Sequence, residues 1–165
     1  AVLGWLSGWA FTNDAFHPTA PDEEGRGLAL SMERAMRSAG VRVEDVGYVN
    51  AHGTGTRLND AAEVKAYERA FAGRTAPVPV SSTKSYIGHT LGAAGAIEAV
   101  ITLLALRTGT LFPTLRLDHP IETGSVDLLK GSPRHSSLDV AMSVSAGFGG
   151  SNASLVFQLA RETRD

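Results

Sequence analysis

The sequence predicts an α/β fold, a mixed five-stranded sheet covered by helices, on three observations. Two short apolar runs, residues 46–51 (V-G-Y-V-N-A) and 78–80 (V-P-V), are followed by polar residues, His52 and Ser81-Ser82-Thr83, and precede helical segments. Two further runs, 139–145 and 153–159, flank the turn Gly147-Phe148-Gly149-Gly150-Ser151, which sets neighbouring strands side by side. No internal repeat or low-complexity tract interrupts them, so the elements share one core.

Taken in order, residues 1–11 form an apolar run holding Trp5 and Trp9, expected to be a largely buried strand. Residues 12–24 are dense in turn formers, and His17 among them reads as a surface histidine. Leu28, Leu30, Met32, Ala35, Met36 and Ala39 recur near helical spacing, so 25–39 is an amphipathic helix stopped by Gly40. The strand at 46–51 delivers His52 at its C-terminal end, the usual place for a site in a layered α/β fold. A second helix starts at Asn59, capped by Asn59 or Asp60, and runs to about Phe71; capping and a local salt link account for Asp60 and Glu63. From Leu91 the chain is apolar on almost every face until Gly109, which predicts a buried helix. Gly92 and Gly95 inside it cost about 1 kcal/mol each against alanine, so another backbone is expected to pack closely there. Residues 112–133, with Pro113 and Pro120, read as irregular connection. The count is five strands and three main helices, and the R-E-T-R-D end is expected to fray.

A chain of 165 residues suits one domain and buries roughly 70% of its unfolded surface. Nowhere do eighteen apolar residues run together, and residues 1–11 lack a basic leader segment, so neither a membrane span nor a signal peptide is expected and the chain reads as cytoplasmic. A formal charge of −2 without a basic run gives no electrostatic footprint for nucleic acid. With no cysteine, the chain has no disulfide, no zinc finger and no thiol chemistry of its own. Ala1, standing at the head of an apolar strand without an initiator methionine, suggests a piece of something longer: a split-gene product, a cleavage fragment or a truncated form.

Three motifs concentrate the chemistry: N-A-H-G-T-G-T at 50–56, S-S-T-K-S-Y-I-G-H-T-L-G-A-A-G-A-I-E at 81–98, and S-A-G-F-G-G-S-N at 145–152. His52 and His89 on rigid turns suit hydrogen-bond donation from neutral imidazole to a carbonyl oxygen that gains charge, although a lone histidine serves equally as a satisfied core residue. As a metal site the pair is poorly specified, because no further ligands accompany it. Lys84 lies among small side chains where an unpaired charge is expensive, and Glu98 is the only acid between Glu68 and Asp118 that could answer it. The hydroxyls of Thr54 and Thr56 could bond an amide-bearing tether or simply form a turn. The glycines from Gly147 to Gly150 allow close approach of a ligand or make a plain hairpin.

In this order and at this spacing, the three motifs resemble the second half of the β-ketoacyl synthases, the decarboxylating condensing enzymes of fatty acid and polyketide synthesis, whose fold is thiolase-like. The resemblance covers nearly the whole chain, 1–165, as a C-terminal thiolase-like domain; the family's nucleophilic cysteine, which lies in the first half, has no counterpart. It implies that His52 and His89 polarise a malonyl thioester, that Lys84 and Glu98 orient them, and that Thr54 and Thr56 contact the phosphopantetheine arm of an acyl carrier protein. It further implies that Phe148, between Gly147 and Gly149, gates the acyl channel while its N–H helps form an oxyanion hole, and it places the His17 loop near that channel. No bound cofactor is implied. The implied partners are a cysteine-bearing ketosynthase half, an acyl carrier protein and a second ketosynthase in a dimer.

Two rivals stand beside this reading. Ser81-Ser82-Thr83-Lys84 fits the S-x-x-K nucleophile pattern of penicillin-binding hydrolases, but no S-D-N or K-T-G accompanies it. A non-catalytic partner, like the chain-length factors of ketosynthase heterodimers, would not need both histidines, the lysine and the glutamate, all of which are present. The L-N-D after the first motif and the run from Lys84 to Glu98 look more like discrete elongation synthases than modular ones.

Overall fold

The computed structural model describes residues 2–160; Ala1 and the charged end at 161–165 lie outside the described residues. The chain runs β1 (Gly4–Asn13), α1 (Arg26–Ala39), β2 (Tyr48–Asn50), α2 (Arg57–Ala70), β3 (Val78–Ser81), α3 (Lys84–Ile87), α4 (Ala94–Thr108), β4 (Thr110–Leu111), β5 (Val126–Leu128), β6 (Arg134–His135), β7 (Val140–Gly147) and β8 (Ser151–Leu159). Six strands make one mixed sheet in the order β1-β8-β7-β2-β3-β5, and β4 pairs with β6 in a small ribbon. Strands β7, β2, β3 and β5 are parallel, while β8 is antiparallel to both β7 and β1.

The α/β expectation holds, and the sheet has one strand more than the five expected. Strand β5 sits inside the stretch read as irregular, as does part of the link to the β4–β6 ribbon. Segments of two or three residues are too short to show a period, and only pairing with β3 makes β5 a strand.

Each face of the sheet has its own core. Helices α1 and α2 cover one face with Met32, Ala35, Met36, Tyr67 and Phe71 over Val49, Val80, Met142 and Val156. Gly8 makes this layer possible, because a methyl group there would lie 2.5 Å from the Ala35 carbonyl oxygen and 2.7 Å from the Ala39 Cβ. On the other face α4 presses Ala105 and Leu106 onto Tyr48, Ala141 and Phe157.

Several boundaries and burials differ from expectation. Helix α2 begins two residues early, with Thr56 rather than Asn59 or Asp60 at its N-cap. Strand β1 is an edge strand, and Trp5 and Trp9 are 60% and 63% exposed, so it is not largely buried. The apolar run from Leu91 opens as a short 3₁₀ turn before α4, and only Ala94, Glu98, Thr102, Ala105 and Leu106 of that helix are buried. Its outer face, with Val100 and Leu104, is bare. A methyl at Gly92 would meet nothing within 4 Å and one at Gly95 only Ser145 Oγ at 3.7 Å, so no backbone packs there among the described residues. By length and mean hydropathy 91–108 could cross a membrane. Its salt-bridged Glu98 and its packing on β7 and β8 account for it as a helix that covers a sheet.

Candidate active site

Strand β2 lies at the centre of the parallel strands and ends at Asn50, which is fully buried. The side chain of Asn50 donates to the Glu98 backbone carbonyl at 3.2 Å and accepts from Thr83 Oγ1 at 3.2 Å, tying three segments of the site together. Two residues on, the His52–Gly53 turn rests on a carboxylate. Glu63 accepts from His52 N at 2.7 Å, Gly53 N at 2.8 Å, Tyr67 Oη at 2.5 Å and Asn59 Nδ2 at 3.0 Å. Burial pushes the Glu63 carboxyl up, and these four donors oppose it. Glu63 is 3% exposed, so the reading of it as capping with a local salt link is corrected.

Lys84 opens α3 directly after β3 and points inward. Its Nζ contacts Glu98 Oε1, the His52 backbone oxygen and, at 3.3 Å, His52 Nδ1. Both side chains of the ion pair are almost fully buried. The His52 peptide is therefore held at its N–H by an anion and at its C=O by a cation. Burial pushes the Glu98 carboxyl up, with the Lys84 ammonium acting against it.

The two imidazoles meet edge to face, with ring centroids 5.4 Å apart. An ammonium beside His52 Nδ1 makes that nitrogen the acceptor, and Leu91 N donates to His89 Nδ1 at 3.1 Å. In both rings the proton is thus left on Nε2. Leu91 holds a left-handed φ of 53° to make its bond, an uncommon backbone for a leucine.

Burial, then the Lys84 charge and His89, push the His52 imidazole down to about 3. The group therefore stays neutral at physiological pH. Because its folded pKa is depressed, the associated stability is complete above about pH 6.5 and is lost as pH falls toward 3. At pH 5 the loss from this group is about 2 kcal/mol, at ~1.36 kcal/mol per pH unit. Glu63 and Glu98, raised by burial, act in the opposite sense. The difference between the parent and His52→Gln in denaturant unfolding at pH 7 and pH 5 isolates the histidine, and equal pH slopes would remove it.

Thr54 and Thr56 follow on the same turn, their hydroxyls 2.8 Å apart and facing solvent rather than the core. Phe148 stands apart on a glycine turn and is 82% exposed. This turn is bound to the 13–18 loop: Gly149 N donates to the Pro18 carbonyl at 2.7 Å, Asn13 Nδ2 to the Gly149 carbonyl at 2.7 Å, and Asp14 N to the Gly150 carbonyl at 2.8 Å. Gly147 is extended, whereas Gly149 has φ 76°. Gly150, at φ 73°, would bring a methyl to 3.0 Å from the Asp14 Cβ, so both turn and loop need glycine there. His17 is exposed in that loop and accepts from the backbone N–H groups of Thr19 and Ala20.

The fold thus brings His52, Lys84, His89 and Glu98 into one cluster and leaves Phe148 on a neighbouring turn. Sequence reasoning missed Glu63, Tyr67 and Asn50 as supports. Their signal was faint: an acid and a tyrosine four residues apart on the inward side of α2, and an asparagine ending a strand. Among the described residues no three metal-ligating side chains cluster.

Solved structures share this fold. A β-ketoacyl synthase from Burkholderia phymatum STM815 superposes with a TM-score of 0.89 at 35% identity, over 98% of this chain and 38% of that one. A type II polyketide ketosynthase, solved with its acyl carrier protein and bound to a hexaketide, superposes with a TM-score of 0.92 at 28% identity, over 98% of this chain and 40% of that one. The 3-oxoacyl-[acyl-carrier-protein] synthase 2 of Vibrio cholerae is 51% identical over 159 residues, 95% of this chain and 38% of that protein. The chain thus spans under two fifths of the length of such relatives. The family model described as the C-terminal domain of β-ketoacyl synthases matches residues 3–118, which include both histidines, Lys84 and Glu98. By that match, over well more than half of its residues, the chain belongs to the β-ketoacyl synthase family as a thiolase-like C-terminal domain.

Proposed function

We propose that this chain supplies the oxyanion-stabilising half of a decarboxylative Claisen condensation. The Nε2–H groups of His52 and His89 donate to the carbonyl oxygen of a malonyl thioester as it becomes an enolate; carbon dioxide leaves, and the carbanion attacks an acyl group held on a cysteine of a partner half. The observation that carries this reading is the pair of fixed acceptors at Nδ1, which leaves two neutral donors side by side. A neutral His52 gains no charge that would have to be moved when the oxyanion forms.

In the same proposal the substrates arrive on the phosphopantetheine arm of an acyl carrier protein, with no resident cofactor, and Thr54 and Thr56 bond its amides. Phe148, flexed on Gly147 and Gly149, gates the acyl group and lends its N–H to the acyl thioester. A ketosynthase dimer in the cytoplasm is the setting. Among similar structures, one is a ketosynthase with its acyl carrier protein and others are ketosynthases with chain length factors. Retention of both imidazoles favours the catalytic member of such a pair over the chain-length partner.

The test uses an acyl thioester donor and intact-mass measurement. The chain alone should stay unacylated, because no side chain here supplies a thiolate. Mixed with a cysteine-bearing ketosynthase half, acyl mass should appear on that half, and malonyl thioester should lose carbon dioxide. Stoichiometric acylation of this chain by itself would overturn the proposal.

A further inference from the structure

The carboxylate under the His52 turn is saturated with donors. Glu63 Oε1 accepts from His52 N at 2.7 Å and Tyr67 Oη at 2.5 Å, and Oε2 accepts from Gly53 N at 2.8 Å and Asn59 Nδ2 at 3.0 Å. Two of these bonds fix consecutive peptides of the turn that carries the imidazole. The Tyr67 bond has the length of a hydroxyl donating to an ionised carboxylate. Tyr67 stands one helical turn after Glu63 on α2, fully buried, with its ring against Phe71 at a centroid distance of 6.5 Å. Its hydroxyl has no other partner among the described residues.

Such a carboxyl holds the turn only as an anion. With a proton on it, one oxygen becomes a donor facing donors, and at least one of the four bonds is lost. Burial pushes the Glu63 carboxyl up, and the Tyr67 hydrogen bond is the largest influence against it, ahead of those from Gly53, His52 and Asn59. The other charged groups around Glu63 give little help. Asp60 lies on its own helix, and Asp14 and Asp22 line a small gap beside Glu63, so all three are like charges. Lys84 and His89 border the same cavity as Glu63 and Tyr67, but the lysine is paired with Glu98, and His52 is neutral. Burial and the Glu63 charge hold the Tyr67 proton well above the usual phenol range, so this donor does not switch off as pH changes.

We infer that Tyr67 is a positioning residue for the reaction: its hydroxyl keeps Glu63 an acceptor, and Glu63 keeps the His52 turn, with its Nε2–H donor, in place. The inference rests on the condensation reading above. Tyr67 acts through Glu63 alone. Its ring belongs to the core under the sheet, where phenylalanine would fill the same space, so the hydroxyl serves the carboxylate.

The experiment compares the parent with Tyr67→Phe in the enzyme assembled with its cysteine-bearing half. Release of CO₂ from malonyl thioester is followed against pH. The Glu63 carboxyl is titrated in parallel by infrared difference spectra, its protonated C=O band being the one that Glu63→Gln abolishes. Loss of a donor to the anion makes Glu63 easier to protonate. The acid limb of the rate profile and the onset of the protonated band should therefore both move up by about one pH unit, while the plateau rate above them changes little. A merely structural tyrosine would lower the rate equally at every pH. Tyrosine fluorinated beside its hydroxyl, placed at position 67, is a stronger donor of the same shape and should move both readings down; it decides the matter where Tyr67→Phe does not fold. A limb and band that stay at the parent's pH in either folded variant overturn the role of Tyr67. Parent enzyme that releases no CO₂ overturns the condensation reading, and the infrared titration then decides the hold of Tyr67 on Glu63 by itself.

Discussion

Replacing Glu98 by alanine is expected to cost about 3–5 kcal/mol of folding stability, because it leaves the Lys84 ammonium buried without its counter-ion. The partners that remain to Lys84 are the His52 carbonyl and ring nitrogen, and neither carries negative charge. A loss of that size exceeds what a surface pair gives; the Lys65–Glu24 and Arg42–Asp45 contacts are exposed, screened by solvent and contribute little. The double replacement Lys84→Met with Glu98→Leu should recover most of the loss, since removing both charges removes the desolvation they share. Chemical unfolding of the four members of this cycle measures the coupling. Unchanged unfolding in Glu98→Ala alone would mean that the lysine finds water in solution.

His52→Ala and His89→Ala are each expected to lower malonyl decarboxylation by about 10²-fold in the enzyme assembled with its cysteine-bearing half, the loss associated with one oxyanion donor. The two effects should be less than additive, because the rings share one oxyanion and touch each other at a centroid distance of 5.4 Å. Acyl transfer to the cysteine should suffer less, since its oxyanion would draw on the Phe148 N–H. Rates of the two half-reactions, followed separately as CO₂ release and acyl loading, provide the check. Full decarboxylase activity without either histidine would assign this chain to the chain-length role instead.

The Lys84–Glu98 pair was legible in the sequence because a charge in a small, apolar stretch demands a partner and only one acid was within reach. The two histidines were legible from their motifs; their tautomers were not, since these depend on Lys84 and on the Leu91 N–H. Glu63 was misread because an acid in a helix's first turns suits a cap as well as it suits a buried cradle. Only the position of the His52 turn over α2 decides between them. Strand β5 was invisible because three residues carry no period, and it takes its conformation from β3. Trp5, Trp9 and the outer face of α4 show a different limit. Apolar composition announces that a surface is covered, and it does not say by which chain.

Strand β1 pairs only with β8 among the described residues, Gly4 opposite Leu159 and Asn13 opposite Ser151, so β1 waits for a strand made much later in the same domain. At ~5–20 residues per second, on the order of ten seconds separates the two during translation. Helix α1 follows at once and can shelter the Gly8 and Ala10 side, but Trp9 and Phe11 on the other side have no early neighbour. A ten-residue apolar edge is thus on display for the whole time the ribosome takes to finish the domain, the interval in which such a strand pairs wrongly. A chain stopped before Ser151 should therefore be lost to aggregation, because it never makes the strand with which β1 pairs.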